Sequence, residues 1–277
     1  MAPVIARVPD YAAVLWWISV PLAIWSTIAA LQLIAVRRGF YPGAPLGPDL
    51  TALVRGRINP RLLASPLAAP GGLLGLLLVR LIAGLMLPFL AAGPAAVALA
   101  VLLVATALVV LLTGGSDGAD KIALVAAVAA LLIAIGLVSG DAHLCLAGVA
   151  WGAGQATTAY VTSGAAKLAR PFWRDGRALA AAMTSYRSGH ALAAAVVRNR
   201  ATALVLAWGV MLVETLFPVA LVAPPVVGIA ILGTLAAFHV ATALVMGLNT
   251  YPWAFIATYP CVMAANALLR GAGLGLG

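Results

Sequence analysis

Apolar runs long enough to cross a bilayer recur along the chain, at 11–36, 72–92, 94–113, 122–139, 143–166, 201–223, 226–247 and 250–269. A helix of about 20 apolar residues spans the hydrocarbon core. The pattern therefore predicts an all-α, polytopic membrane bundle of about eight transmembrane helices. Turn signals at Gly93-Pro94, Gly114-Gly115, Ser139-Gly140 and Pro224-Pro225 separate neighbouring runs. The first run is too long for the apolar part of a signal peptide and leads directly into Arg37-Arg38, so it reads as a retained helix. Two stretches break the pattern. Residues 37–71 are rich in Arg, Pro and Gly with little periodicity and read as a linker. This divides the chain into 1–71, a first helix plus linker, and 72–277, a helical membrane core. Residues 169–200 lack proline after Pro171 and combine alanines with arginines, which suits either a surface-lying helix or an ordinary basic loop.

Composition strengthens the membrane reading. Hydrophobic residues make up 64% of the chain and charged residues 8%, too little polar surface for a soluble globule of 277 residues. The formal charge of +9 does not indicate nucleic acid, because the basic residues cluster in segments that flank apolar spans. With eight spans, twelve of the sixteen Lys and Arg fall on one side, opposite only Arg7 and Arg270. Basic loops resist translocation, so they are expected in the cytoplasm of a multi-pass cell-membrane protein with both termini outside. Cys145 and Cys261 lie in apolar runs without metal or redox spacing and read as small core residues.

The residue that departs most from this background is Lys167, a cation near the end of an apolar run. At membrane depth a charge costs on the order of 3 kcal/mol and needs a partner, a wet cavity or a function. Tyr160, Gly164 and Lys167 stand at i, i+4 and i+7 and so share a helix face. They belong to the pattern Gln155-x4-Tyr160-x3-Gly164-x2-Lys167-Leu168-x4-Trp173-x2-Gly176. This pattern resembles the signature of the HTTM (horizontally transferred transmembrane) family, which includes the membrane core of vitamin K-dependent gamma-carboxylases. Arg80-x3-Gly84 looks like the opening of that core. Glu214-x3-Pro218, His239 and Tyr251-Pro252-Trp253 fit the family pattern more generally.

The resemblance implies a quinone-like lipid, a menaquinol or vitamin K type quinol, with Lys167 as the general base that deprotonates it. It also implies that Gln155, Tyr160, Gly164, Trp173, His143, Glu214, His239 and Arg80 surround the cofactor. A lysine amine serves as a base at neutral pH only if desolvation or a nearby cation disfavours its charged form. An apolar site supplies the first, and Arg170 stands one turn away. The alternative is a lysine that snorkels to the interface. Asp141-Ala142-His143 resembles a segment that carries a functional histidine in the carboxylases. Twenty-four residues of unbroken helix, however, put His143 about 36 Å from Lys167, so the two meet only if the helix breaks near Gly152-Ala153-Gly154.

Arg80, Glu214 and His239 are the other ionisable groups within spans. They admit an Arg80–Glu214 pair with a neutral His239, or a relay from Lys167 through Glu214 and His239. His190, in the basic segment, reads as solvent-exposed. No His/Cys/carboxylate group has metal-ligand spacing, so no metal is expected, and no phosphate-loop, dinucleotide or Gly-x-Ser-x-Gly pattern occurs. Peptide-modifying carboxylases carry a large extramembrane domain after the helical core, so carboxylation of a peptide here is expected only if a protein partner supplies that surface. Two other functions stay open: a non-enzymatic anchor or accessory subunit, as in the similar DoxX-like proteins, and a secondary transporter. A transporter would be marked by internal repeats and paired broken helices.

Overall fold

The helical periodicity is realised throughout the computed structural model, which describes residues 9–55, 60–184 and 191–276 and contains no strand among them. The principal helices are α1 (Tyr11–Ala35), α2 (Pro70–Met86), α3 (Ala92–Thr113), α4 (Gly118–Ser139), α5 (Ala142–Leu168), α6 (Arg177–Thr184), α7 (Ala191–Arg198), α8 (Arg200–Thr215), α9 (Pro225–Met246), α10 (Tyr251–Ile256) and α11 (Tyr259–Gly271). Six segments among the described residues are long and apolar enough to cross a membrane: α1, α2 with its continuation to Phe89, α3, α4, α9, and α10 with α11. The protein is thus an all-α, multi-pass membrane bundle. Helix α5, at 27 residues, has the length of a span but carries Gln155, Thr157, Thr158, Tyr160, Thr162 and Ser163.

Two compact units divide the chain. The N-terminal unit is Tyr11–Gly148, and Val149–Gly277 falls in the C-terminal one. Helix α1 is part of the first core rather than an appendage, because Ile18, Leu22 and Trp25 are fully buried where it packs on α2 and α4. Small residues on α4, among them Ala119, Ala123, Ala126 and Ala130, let neighbouring backbones approach closely. The described residues of the 37–71 segment hold a helix at Pro48–Arg55 and bury Phe40 against Leu73, Leu77, Val109 and Leu112.

In the C-terminal unit the described residues of the segment 169–200 include the short helices Pro171–Arg174, α6 and α7. His190 and Arg187 lie outside the described residues. The expected span at 201–223 is divided. Helix α8 ends at Thr215, the chain turns through Leu216-Phe217-Pro218, and a single helical turn follows at Val219–Val222. The last span is divided as well, at Ala257-Thr258 between α10 and α11. A break inside a membrane protein must have its freed backbone groups satisfied by the protein. Asn266 of α11 does this for the helical turn that follows the first break, its Nδ2 donating to Ala220 O at 3.0 Å and to Ala223 O at 2.8 Å.

Candidate functional site

The face of α5 that carries Tyr160, Ser163, Gly164 and Lys167 receives the C-terminal end of α8. At Gly164 a Cβ would stand 2.8 Å from Thr215 N and 3.1 Å from the Glu214 Cβ. Only glycine lets the two backbones meet this closely. That approach brings Glu214 to Lys167: Nζ donates to Oε2 at 2.5 Å, and also to Ser163 Oγ at 2.6 Å. The Lys167 and Glu214 side chains are only 16% and 5% exposed, so the pair is largely desolvated. Trp173 adds a cation–π contact, with Nζ 5.4 Å from its ring centroid. Its neighbourhood is anchored by Gly176, whose φ of +80° suits glycine and which packs against the Ala203–Leu204 backbone. Trp208 Nε1 donates to Arg174 O at 3.1 Å and fastens the same loop to α8.

Two turns earlier on α5, Tyr160 lies in a second buried cluster. Its hydroxyl is 2.8 Å from His239 Nε2 and 2.9 Å from the Tyr259 hydroxyl. Phe217, in the turn just after α8, stacks on the Tyr160 ring at 4.5 Å, and Phe255 stacks on the His239 ring at 4.0 Å. The tautomer follows from the partners. His239 Nδ1 is buried with no hydrogen-bond partner, and an orphaned buried N–H is rarer than an orphaned acceptor. The proton therefore belongs on Nε2, donating to the Tyr160 oxygen, while the Tyr160 and Tyr259 hydroxyls share a hydrogen bond in which either can donate. His239 thus makes one hydrogen bond, through Nε2.

Lys167, Tyr160, Gly164, Trp173, Glu214 and His239 thus gather within the C-terminal unit. Gln155, half-buried on α5, stands less than two turns before Tyr160 in the same helix. The two remaining candidates fall elsewhere. His143 is 96% exposed at the start of α5, beside Asp141 at 3.5 Å. Helix α5 is unbroken through Gly152-Ala153-Gly154, so the condition for His143 to reach Lys167 is not met. Arg80 belongs to the N-terminal unit. It is buried over the Trp25 ring, 4.3 Å from the centroid, and its carboxylate partner is Asp120 at 3.7 Å. Of the two arrangements the sequence admits, the Arg80–Glu214 pair gives way: Arg80 meets Asp120 within the N-terminal unit and Glu214 meets Lys167 within the C-terminal one. Each carboxylate goes to the cation that its own helix packing presents.

Sequence reasoning passed over Ser163, Phe217, Tyr259 and Asp120. Ser163 was visible as the residue one turn before Lys167 on the same face. Asp120 was visible in the Asp117-x-x-Asp120 capping spacing at the start of α4, where Asp120 N donates to Asp117 Oδ1 at 2.9 Å. Tyr259 and Phe217 carry no local signal, since they reach Tyr160 only through the two helix breaks. Comparison with known protein families, curated proteins and solved structures gives no match.

Proposed function

We propose that the C-terminal unit is a membrane-embedded proton-transfer site for a quinone-like lipid, a hydroquinone of the menaquinol or vitamin K type, with the Lys167–Glu214 pair as its base. The observation that carries this reading is the 2.5 Å contact between two desolvated groups of opposite charge on the motif face of α5. A buried pair of this kind is neutral overall whether the shared proton sits on the amine or on the acid, which a bilayer-depth site tolerates. When a hydroquinone O–H bond breaks, its electron pair stays on oxygen and its proton passes to the pair. In this reading the pair starts as a neutral amine beside a neutral acid, Lys167 takes the proton, and the product is an ammonium and a carboxylic acid beside a quinolate. The ammonium then offsets the new negative charge. Ser163 holds the amine from one side. The resemblance of the Gln155–Gly176 pattern to the HTTM family supports the choice of an isoprenoid hydroquinone, whose tail partitions into the bilayer.

A second reading rests on the same pair. Lys167 has a carboxylate, a hydroxyl and an indole ring as partners, the satisfaction expected of a structural charge in an anchor or accessory subunit. Lys167→Arg separates the two. A guanidinium stays protonated and holds Glu214 ionised in a bidentate pair, so it removes the base but preserves the scaffold. The experiment is titration of the detergent-purified chain with menaquinol-4, followed by quenching of tryptophan fluorescence and by the absorbance of the quinolate. Quinolate formation in wild type but not in Lys167→Arg, with quenching intact in both, supports the base. Wild-type quinolate formation in the arginine variant overturns it in favour of the scaffold. Absence of quenching in wild type overturns the quinone itself.

A further inference from the structure

Away from the Lys167 pair, α6 and α8 enclose two cavities of opposite character. One, of about 540 Å³, is lined by Arg177, Arg198 and Arg200 with Asp175, Val197 and Ala203. Asp175 is committed to Arg177: its carboxylate accepts from the Arg177 Nε at 2.7 Å and from the Arg177 backbone N at 3.0 Å. The side-chain hydrogen bond from Arg177 holds its carboxyl below the ordinary range, so it stays ionised and balances that arginine. The balance leaves Arg198 and Arg200, both exposed, as the net charge facing the cavity. The second cavity, of about 140 Å³, is apolar and is lined by Leu179 and Met183 of α6, Leu206 and Val210 of α8, and Phe238 and Ala241 of α9.

The two cavities lie in sequence along the same helices. On α8, Ala203 lines the basic one, and Leu206 and Val210, one and two turns further on, line the apolar one. At 1.5 Å per residue this is a step of about 5–10 Å, the offset between a phosphate and the first methylenes of an acyl chain. We propose that this unit holds an anionic phospholipid, with its phosphate on Arg198 and Arg200 and one acyl chain entering the groove between α6, α8 and α9. Arginine suits the phosphate because its planar fork matches the oxygens and stays charged. The apolar cavity is what commits the site to a lipid rather than to a free phosphate.

The test is the melting midpoint of the detergent-purified full chain, titrated with dioleoylphosphatidylglycerol, dioleoylphosphatidylcholine or inorganic phosphate. A ligand that binds only the folded state raises the midpoint by mass action. Phosphatidylglycerol is expected to raise it at concentrations where the other two do not. Arg198→Gln with Arg200→Gln should weaken that response by on the order of 30-fold, from about 1 kcal/mol per arginine. Lys at both positions should retain most of the response, which separates a lost ligand from a lost fold. Val210→Trp, which fills the apolar groove, should also weaken it, while Arg170→Gln should not. An equal response to phosphatidylcholine overturns the headgroup assignment, an equal response to phosphate overturns the acyl groove, and an equal loss in Arg170→Gln reduces the effect to general surface charge.

Discussion

At the scale of the residue, the Lys167–Glu214 pair shows why a buried charge cannot be judged alone. Removing one member leaves the other desolvated without a counter-charge, which costs roughly 3–5 kcal/mol. Lys167→Met and Glu214→Gln should each lower stability in detergent melts by that order. The double variant should lose clearly less than the two losses added together. Additive losses would mean that the pair is not coupled. Gly164 permits the pair to form, and its role is separable from general helix propensity. Gly164→Val forces a side chain onto Thr215 N and should cost about 1–3 kcal/mol through overpacking. Gly154→Val, on the same helix with nothing within 4 Å of its Cβ, should be close to neutral. A melt in which the two valine variants behave alike would show that close approach is not what Gly164 supplies.

At the scale of the element, the two helix breaks in the C-terminal unit matter more than the helices they interrupt. The turn after α8 lets Glu214 point at Lys167 while Phe217, three residues on, stacks against Tyr160. The break before α11 places the Tyr259 hydroxyl on Tyr160. Paired broken helices are a mark of secondary transporters, which build ion and substrate sites from the freed ends. Here two carbonyls of the helical turn that follows the first break, Ala220 O and Ala223 O, are already occupied by Asn266. That bond set makes a sharp prediction about chemistry rather than size. Asn266→Ala should destabilise by about 1–3 kcal/mol as two buried carbonyls lose their donor. Asn266→Asp, nearly the same shape, should be worse, because a carboxylate would face two acceptors. If the aspartate variant melted like wild type, the amide would not be holding the break.

At the scale of the whole molecule, the asymmetry of basic residues makes a prediction about orientation. Cys145 and Cys261 are buried and should resist an impermeant thiol reagent, so introduced cysteines can be read against a quiet background. A cysteine at Asp49, in the basic 37–71 segment, should be shielded in intact cells, and one at exposed Leu274 should label. The reverse pattern would invert the topology, and labelling at both would break the eight-span parity.

Much of the architecture was legible because bilayer physics writes it in one dimension. A hydrocarbon layer demands about 20 apolar residues per crossing and satisfied backbone groups throughout, so the runs at 94–113, 122–139 and 226–247 map directly onto α3, α4 and α9. Helical periodicity likewise made Tyr160, Gly164 and Lys167 one face before any fold was known. What periodicity cannot carry is the partner of that face. Glu214 could pair with Arg80 or with Lys167 as far as hydropathy is concerned, since both are cations in apolar surroundings. The choice was made by packing, through a glycine that lets α5 and α8 touch at Thr215 and a capping spacing that gives Asp120 to Arg80. The division of the last spans was marked only by Pro218 and Pro260, since hydropathy alone reads straight through both breaks. Sequence alone determined which segments leave water, because that depends on composition within each segment. Tertiary structure decided which charges meet and where helices break, because those depend on contacts between residues 40 to 99 positions apart.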